Sequence, residues 1–301
     1  MDKVNITPNL FIVGAAKSGT TSLHNYLNQH PDVFMCTPKE PHFLINNEIG
    51  KDRIPIGICS ENEYLDLFLE GRGEKYRGES SVMYLMFPEI VIPKIKNNYL
   101  ENTKIIIMLR NPVERAYSGF HHVKRYNVKE KIQDFTEAWK LSEERYFNQN
   151  DMTPASRYQE LGLYYNQVKS YLNEFKDNLH IIIYDDYKSD FKSEMNKAFD
   201  FLEVENIEID SDKRHMVGGW QWENEKMKRL MMNRNPLKSA IKMLIPFKGL
   251  RKSIRKRIQK KNSVEVKQIT EKDRIMLKEF YKIDVKKLSD LLNRNLNFWV
   301  E

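Results

Sequence analysis

The sequence predicts an α/β fold: a P-loop-like central parallel sheet of about four or five strands, flanked by helices on both faces and continuing into a helical C-terminal half. Three observations predict it. Leu10-Phe-Ile-Val is an unbroken apolar run that passes through Gly14 and Gly19 into apolar positions at helical spacing, Leu23, Tyr26 and Leu27. Lys104-Ile-Ile-Ile-Met-Leu is the continuous β-branched run of a strand buried on both faces, and Pro112 beyond it suits the first turn of a helix. Leu179-His-Ile-Ile-Ile-Tyr-Asp-Asp repeats the pattern, with a turn after it and a helix from Phe191 to Leu202.

Taken in order, the loop between Gly14 and Gly19 comes first. Ala16, Lys17, Ser18, Gly19, Thr20, Thr21 and Ser22 stand where a strand gives way to a helix. Such a turn aims backbone N–H groups at one point, at the positive end of a helix dipole, and so suits a phosphate or sulfate ester. The ATP-binding pattern G-x-x-x-x-G-K-[ST] fails at its most diagnostic position, because Thr20 stands where the lysine belongs and Lys17 sits inside the loop. From mid-loop a lysine reaches the bridging oxygen of a bound anhydride. No carboxylate motif for Mg²⁺ accompanies it, and no metal is expected.

After a break at His30-Pro31-Asp32, a short strand over 33–36 leads to Thr37-Pro38-Lys39-Glu40-Pro41-His42-Phe43. Two prolines there fix the backbone around polar side chains. Residues 61–71 read as helix, and Lys75 to Leu85 as a strand running into a loop. Arg110-Asn-Pro-Val-Glu-Arg-Ala-Tyr-Ser follows the central strand, so Arg110 lies at its carboxyl edge and Ser118 about two helical turns on. His121 and His122, on the same helix, read as surface or supporting residues. Amphipathic helices are expected over 132–147 and 156–175, and the adjacent Asp185 and Asp186, read as strand residues on opposite faces, as structural.

Composition sets outer limits. In 301 residues, 41% are apolar and 11% aromatic, enough to core a single domain over 1–301. No apolar run approaches the ~18 residues of a membrane span. The first residues lack the apolar core of a signal peptide, and two cysteines, Cys36 and Cys59, make no disulfide or zinc framework, so a cytoplasmic location is expected. The net charge of +7 is local: 226–261 holds 14 Lys or Arg and no Asp or Glu, against 35 basic and 42 acidic residues elsewhere. Aliphatics at helical spacing within 237–261 leave three readings of that segment: a helix packed on the domain, a docking site for an acidic polymer, or contact with an anionic membrane surface. Only Phe247 is available there for base stacking, which argues against nucleic acid.

The loop Phe11-Ile-Val-Gly-Ala-Ala-Lys-Ser-Gly-Thr-Thr-Ser-Leu resembles the 5′-phosphosulfate loop of sulfotransferases that use 3′-phosphoadenosine 5′-phosphosulfate (PAPS), and the other signatures follow in family order. The resemblance implies that Lys17 and its neighbours hold the sulfate ester. It implies that Glu40, in a segment similar to that of the glycan-type members, is the general base, with His42 as rival. Arg110 and Ser118 would grip the 3′-phosphate, and Tyr184 would contact the adenine. Lys213-Arg214-His-Met-Val-Gly218-Gly219-Trp220 is similar to a loop that folds over the 3′-phosphate, with His215 replacing a glycine. Ser80 stands where members often carry a second lysine, which leaves Lys39 as a substitute.

The implied function is transfer of a sulfuryl group from PAPS to a hydroxyl or amine of an acceptor, with adenosine 3′,5′-bisphosphate as product. An anionic glycan fits the basic segment as acceptor. Members of the Golgi carry an amino-terminal anchor, so an unanchored chain is expected to be bacterial and soluble. A nucleotide kinase of related fold, and a non-catalytic polyanion- or membrane-binding module, are the alternatives.

Overall fold

The computed structural model describes residues 6–99, 102–211, 219–232 and 247–301. Its elements run β1 (Leu10–Gly14), α1 (Thr20–Leu27), β2 (Val33–Met35), α2 (Phe43–Ile49), α3 (Glu61–Asp66), β3 (Tyr76–Ser80), α4 (Pro88–Asn98), β4 (Lys104–Leu109) and α5 (Pro112–Tyr126). Then come α6 (Phe135–Lys140), α7 (Ser142–Asn148), α8 (Tyr164–Phe175), β5 (Leu179–Ile183), α9 (Tyr184–Ser189) and α10 (Phe191–Leu202). The last described elements are β6 (Trp220–Trp222), α11 (Glu225–Met232), α12 (Lys248–Lys261), β7 (Ser263–Glu265) and α13 (Glu271–Leu291).

The central sheet has five strands in the order β2-β3-β1-β4-β5, and every pairing is parallel. From β1 the chain passes to the edge strand β2 and returns to place β3 beside β1, then crosses to add β4 and β5 on the other side. The strand order therefore reverses between β1 and β4, and a crevice opens outside their carboxyl ends, the usual ligand position in such sheets. Alternating side chains divide the core. Phe11, Val13, Ile105 and Ile107 enter one cluster with Phe120, Tyr171 and Trp299, while Leu10, Ile12, Ile106 and Met108 face Leu23, Leu27 and Phe199. Both layers are apolar, and each fully buried aliphatic contributes roughly 1.5–3 kcal/mol.

Several expected elements differ in detail. The helix expected over 132–147 is two helices, α6 and α7, meeting at Leu141. The helix expected from Ser156 begins at Tyr164, because the backbone N–H groups of Tyr164 and Tyr165 donate to the Asp284 carboxylate on α13, at 2.8 and 3.2 Å. Residues 61–71 are one short helix and a separate 3₁₀ turn. Asp185 and Asp186 open α9 and do not lie on a strand. The Trp299 indole N–H donates to Asp185 at 2.9 Å, and Arg294 pairs with Asp186 at 2.7 Å, so both carboxylates tie down the carboxyl end of the chain. The two-stranded antiparallel pair of β6 and β7 was not expected.

Candidate functional site

The loop after β1 is shaped by two glycines. A Cβ at Gly14 would lie 2.6 Å from the Leu85 Cβ, and Gly19 adopts φ +96° with the Tyr184 ring 3.1 Å from where its Cβ would be. Gly19 caps α1 without any side-chain hydrogen bond, so the first-turn N–H groups carry no side-chain cap. Beside that helix end a cleft of about 1130 Å³ is lined by Ala16, Lys17, Gly19, Thr20, Thr21 and Ser22. Ser18 does not line it: its side chain is fully buried and its N–H donates back to Ala15 at 3.3 Å.

Arg110 leaves the end of β4, and its Nη1 donates to the Lys17 carbonyl at 3.2 Å. Its guanidinium sits 5.1 Å over the Tyr184 ring at the start of α9. Arg110, Ser118 and Tyr184 line the same cleft as the loop. Three loops at the carboxyl ends of β1, β4 and β5 thus meet at one point, as the strand order requires. Of the further residues expected there, Lys213, Arg214 and Gly218 lie outside the described residues. Gly219 and Trp220 do not line the cleft. Gly219 accepts from the Val266 N–H at 2.9 Å, and the Trp220 ring lies 4.5 Å from the Arg125 guanidinium, which donates to the Trp220 carbonyl at 2.7 Å.

Across from the loop stands Glu40. Its backbone N–H donates to the Ser80 carbonyl at 3.1 Å, and the N–H of His42 donates to Ser81 Oγ at 3.0 Å. Ser81 in turn donates to Glu79, which also accepts from the hydroxyls of Tyr64 and Tyr84 at 2.7 and 2.9 Å. Glu79 is fully buried, and burial raises its pKa; its oxygens are spent on holding the turn. The carboxylate offered to the cleft is that of Glu40, about a third exposed, with Lys39 Nζ at 2.8 Å and His42 Nε2 at 3.5 Å. Burial pushes the Glu40 carboxyl up, but Lys39 and His42 outweigh it and hold it well below the usual carboxylate range. His42 is mostly buried beside it and also lines the cleft. Ser80 is also buried, bonded to His24 Nδ1 at 2.8 Å, and Lys39, paired with Glu40, does not itself line the cleft.

Lys17 Nζ lies 3.3 Å from His122 Nδ1 on α5. Burial, then the charges of Arg125 and Arg110, lower the lysine to about 8. Burial and Lys17 push His122 down to about 3, so the ring is neutral and Nδ1 accepts. The sequence expectation set His122 aside as a surface or supporting residue, yet it lines the cleft. The signal was present: His122 follows Ser118 by four residues and so shares its helix face, as does Tyr126 after a further four. His121, one residue off that face, packs instead against Tyr117 and Phe120. Arg125, also on α5, does not line the cleft, but its charge acts on Lys17. Among the described residues no cluster of His, Cys, Asp and Glu could hold a metal ion, and no helix is long and apolar enough to cross a membrane.

The profile of the family described as "Sulfotransferase domain" matches residues 7–284. A solved sulfotransferase from Alicyclobacillus acidocaldarius is 28% identical, superposes with a TM-score of 0.72, and covers 98% of this chain and 99% of its own. Human carbohydrate sulfotransferase 15 is 27% identical over 253 residues, 67% of this chain and 45% of its own length. Human bifunctional heparan sulfate N-deacetylase/N-sulfotransferase 2 is 31% identical over 121 residues, 40% of this chain and 13% of its own. The chain thus spans less than half the length of these two relatives.

Proposed function

The chain belongs to the sulfotransferase domain family, and from that premise we propose that it moves the sulfuryl group of PAPS to a sugar hydroxyl, releasing adenosine 3′,5′-bisphosphate. The observation that carries this reading is that Glu40, Lys17, Arg110 and Ser118 all line one cleft, close enough for the Glu40 charge to act on Lys17. The site suits a doubly phosphorylated, sulfated nucleotide: an uncapped helix start, a glycine cradle against Tyr184, and two cations lining the cleft, Lys17 and Arg110.

In this mechanism Glu40 takes the proton of the attacking hydroxyl. Its ionisation is assured by Lys39 and His42, and its basicity rises when Lys39 turns to incoming negative charge. Lys17 donates to the oxygen on which charge builds as the nucleotide departs, with Thr20 and Thr21 beside it. His122 accepts from Lys17 and so steers that ammonium. Arg110 and Ser118 hold the 3′-phosphate, which separates this donor from ATP. Calorimetry tests the reading: adenosine 3′,5′-bisphosphate binds and ATP does not, and Lys17→Ala abolishes transfer of label from ³⁵S-PAPS. Binding of ATP alone would favour the kinase alternative.

The basic segment has a separate role in this proposal. Of 226–261, the residue that reaches the cleft among those described is Met232. Phe247 is 72% exposed and Leu250 51%, at the start of the acid-free helix α12. Exposed apolar groups beside a run of cations suit an anionic membrane surface, which supports a role for the segment apart from the acceptor site.

A further inference from the structure

We propose that the acceptor arm of the cleft takes an uncharged hydroxyl compound with an apolar group next to the reacting sugar, of the alkyl or aryl glycoside class. The proposal rests on the sulfotransferase reading and narrows its acceptor. At about 1130 Å³ the cleft exceeds the roughly 300–1,000 Å³ that serves one ligand, so it has room for two. Tyr26, Tyr184, Tyr187 and Phe191 line the nucleotide end. The same cleft is also lined by residues of the connecting segments 52–56, 127–129 and 151–155, here called its acceptor arm.

That arm is apolar where it is open. Pro55 and Ile56 face solvent at its mouth, Ile56 at 74% exposure, and Tyr126 stands 42% exposed along the same lining. Val82 and Met83 are its buried floor. An aromatic ring beside aliphatics can cover both the flat face of a sugar and the chain attached to it.

The charged groups of the arm argue in the same direction. Arg53 donates from Nη1 to the carbonyls of Tyr146 and Met152, at 2.8 and 3.3 Å, with its guanidinium 4.0 Å over the Tyr146 ring. Lys129 pairs with Asp151 at 2.9 Å, and Asp52 adds a further carboxylate. Arg53 and Lys129 therefore already have partners in the fold, and Arg115, which also lines the cleft, is fully buried and donates to the Tyr158 carbonyl at 2.5 Å, so among the described residues no exposed cation here stands unpaired. A sulfated or uronate chain entering here would lose water without gaining a free cation, whereas a neutral glycoside loses little.

The test measures ³⁵S transfer from PAPS to glycosides of several neutral sugars, each with methyl, butyl and octyl aglycones, beside heparosan and chondroitin oligosaccharides. The expected result is a kcat/KM that climbs at least about tenfold from methyl to octyl on the preferred sugar. In the Ile56→Asp variant that climb disappears while affinity for adenosine 3′,5′-bisphosphate, read by calorimetry, is unchanged. A flat aglycone series, a faster anionic oligosaccharide, or no turnover of any glycoside by a protein that still binds the bisphosphate overturns the proposal and leaves the donor reading standing. Failure to bind the bisphosphate overturns the donor reading itself.

Discussion

The two arms of the cleft are built differently. The donor arm stands on the carboxyl ends of β1, β4 and β5, with backbone anchored in the central sheet and a conformation set by Gly14 and Gly19. The acceptor arm is made of connecting segments: 52–56 after α2, 127–129 after α5, and 151–155 after α7. Strands fix the first to within the tolerance of a hydrogen-bonded ladder, so one nucleotide geometry is enforced. Segments between helices can change sequence without disturbing the sheet, which is how one donor chemistry serves many acceptors. Glu40 sits at the seam, tied by its own backbone to the end of β3 and offering its carboxylate to the other arm.

The strongest way to break this division is at the seam. Glu40→Gln removes the proton acceptor and leaves the phosphate contacts alone. Transfer is expected to fall roughly 10²–10⁴-fold in kcat, with calorimetric affinity for adenosine 3′,5′-bisphosphate unchanged. A variant that lost nucleotide binding in step with turnover would place Glu40 in the donor arm, and the division would fail.

A smaller effect is expected inside the donor arm. Arg110 touches both the loop, through the Lys17 carbonyl, and the Tyr184 ring. Arg110→Ala should weaken adenosine 3′,5′-bisphosphate by about 1.5–3 kcal/mol, the worth of a hydrogen bond to a charged group. Adenosine 5′-phosphate, which lacks the 3′-phosphate, should lose much less. Equal losses for the two nucleotides would move Arg110 from the 3′-phosphate to the loop end of the site.

The difference between the arms also explains what the sequence revealed. Elements with local causes were legible: the buried run of β4, the glycine-bounded loop, and Arg110 and Ser118 at a fixed spacing. Elements with distant causes were not. The start of α8 is set by Asp284, some 120 residues away in sequence. The break at Leu141 leaves no mark on the apolar pattern, because the buried residues Phe135, Ala138, Trp139, Ser142 and Tyr146 keep a helical period straight across it. The partners of Arg53 and Lys129, which decide the charge of the acceptor arm, also come from other segments. His122 is a different case, since its four-residue spacing from Ser118 was available and simply outweighed by the absence of a motif.

The last expected effect is the smallest and isolates Lys17. Its ammonium is lowered to about 8 in the free protein by burial and by Arg125 and Arg110. An anion bound beside it favours the charged form, so binding takes up a proton whenever Lys17 starts out neutral. The affinity for adenosine 3′,5′-bisphosphate is then full below pH 8 and lost as pH rises through that value. From pH 7 to pH 9 the fall should be about tenfold. Other nearby groups do not imitate it: His122 is neutral throughout this window, and the ligand's phosphates complete their ionisation near pH 6. Calorimetry across the window checks the slope, and Lys17→Ala should flatten it. A slope that survives in Lys17→Ala would show that another cation of the donor arm does the titrating, and the steering of Lys17 by His122 would lose its chemical purpose.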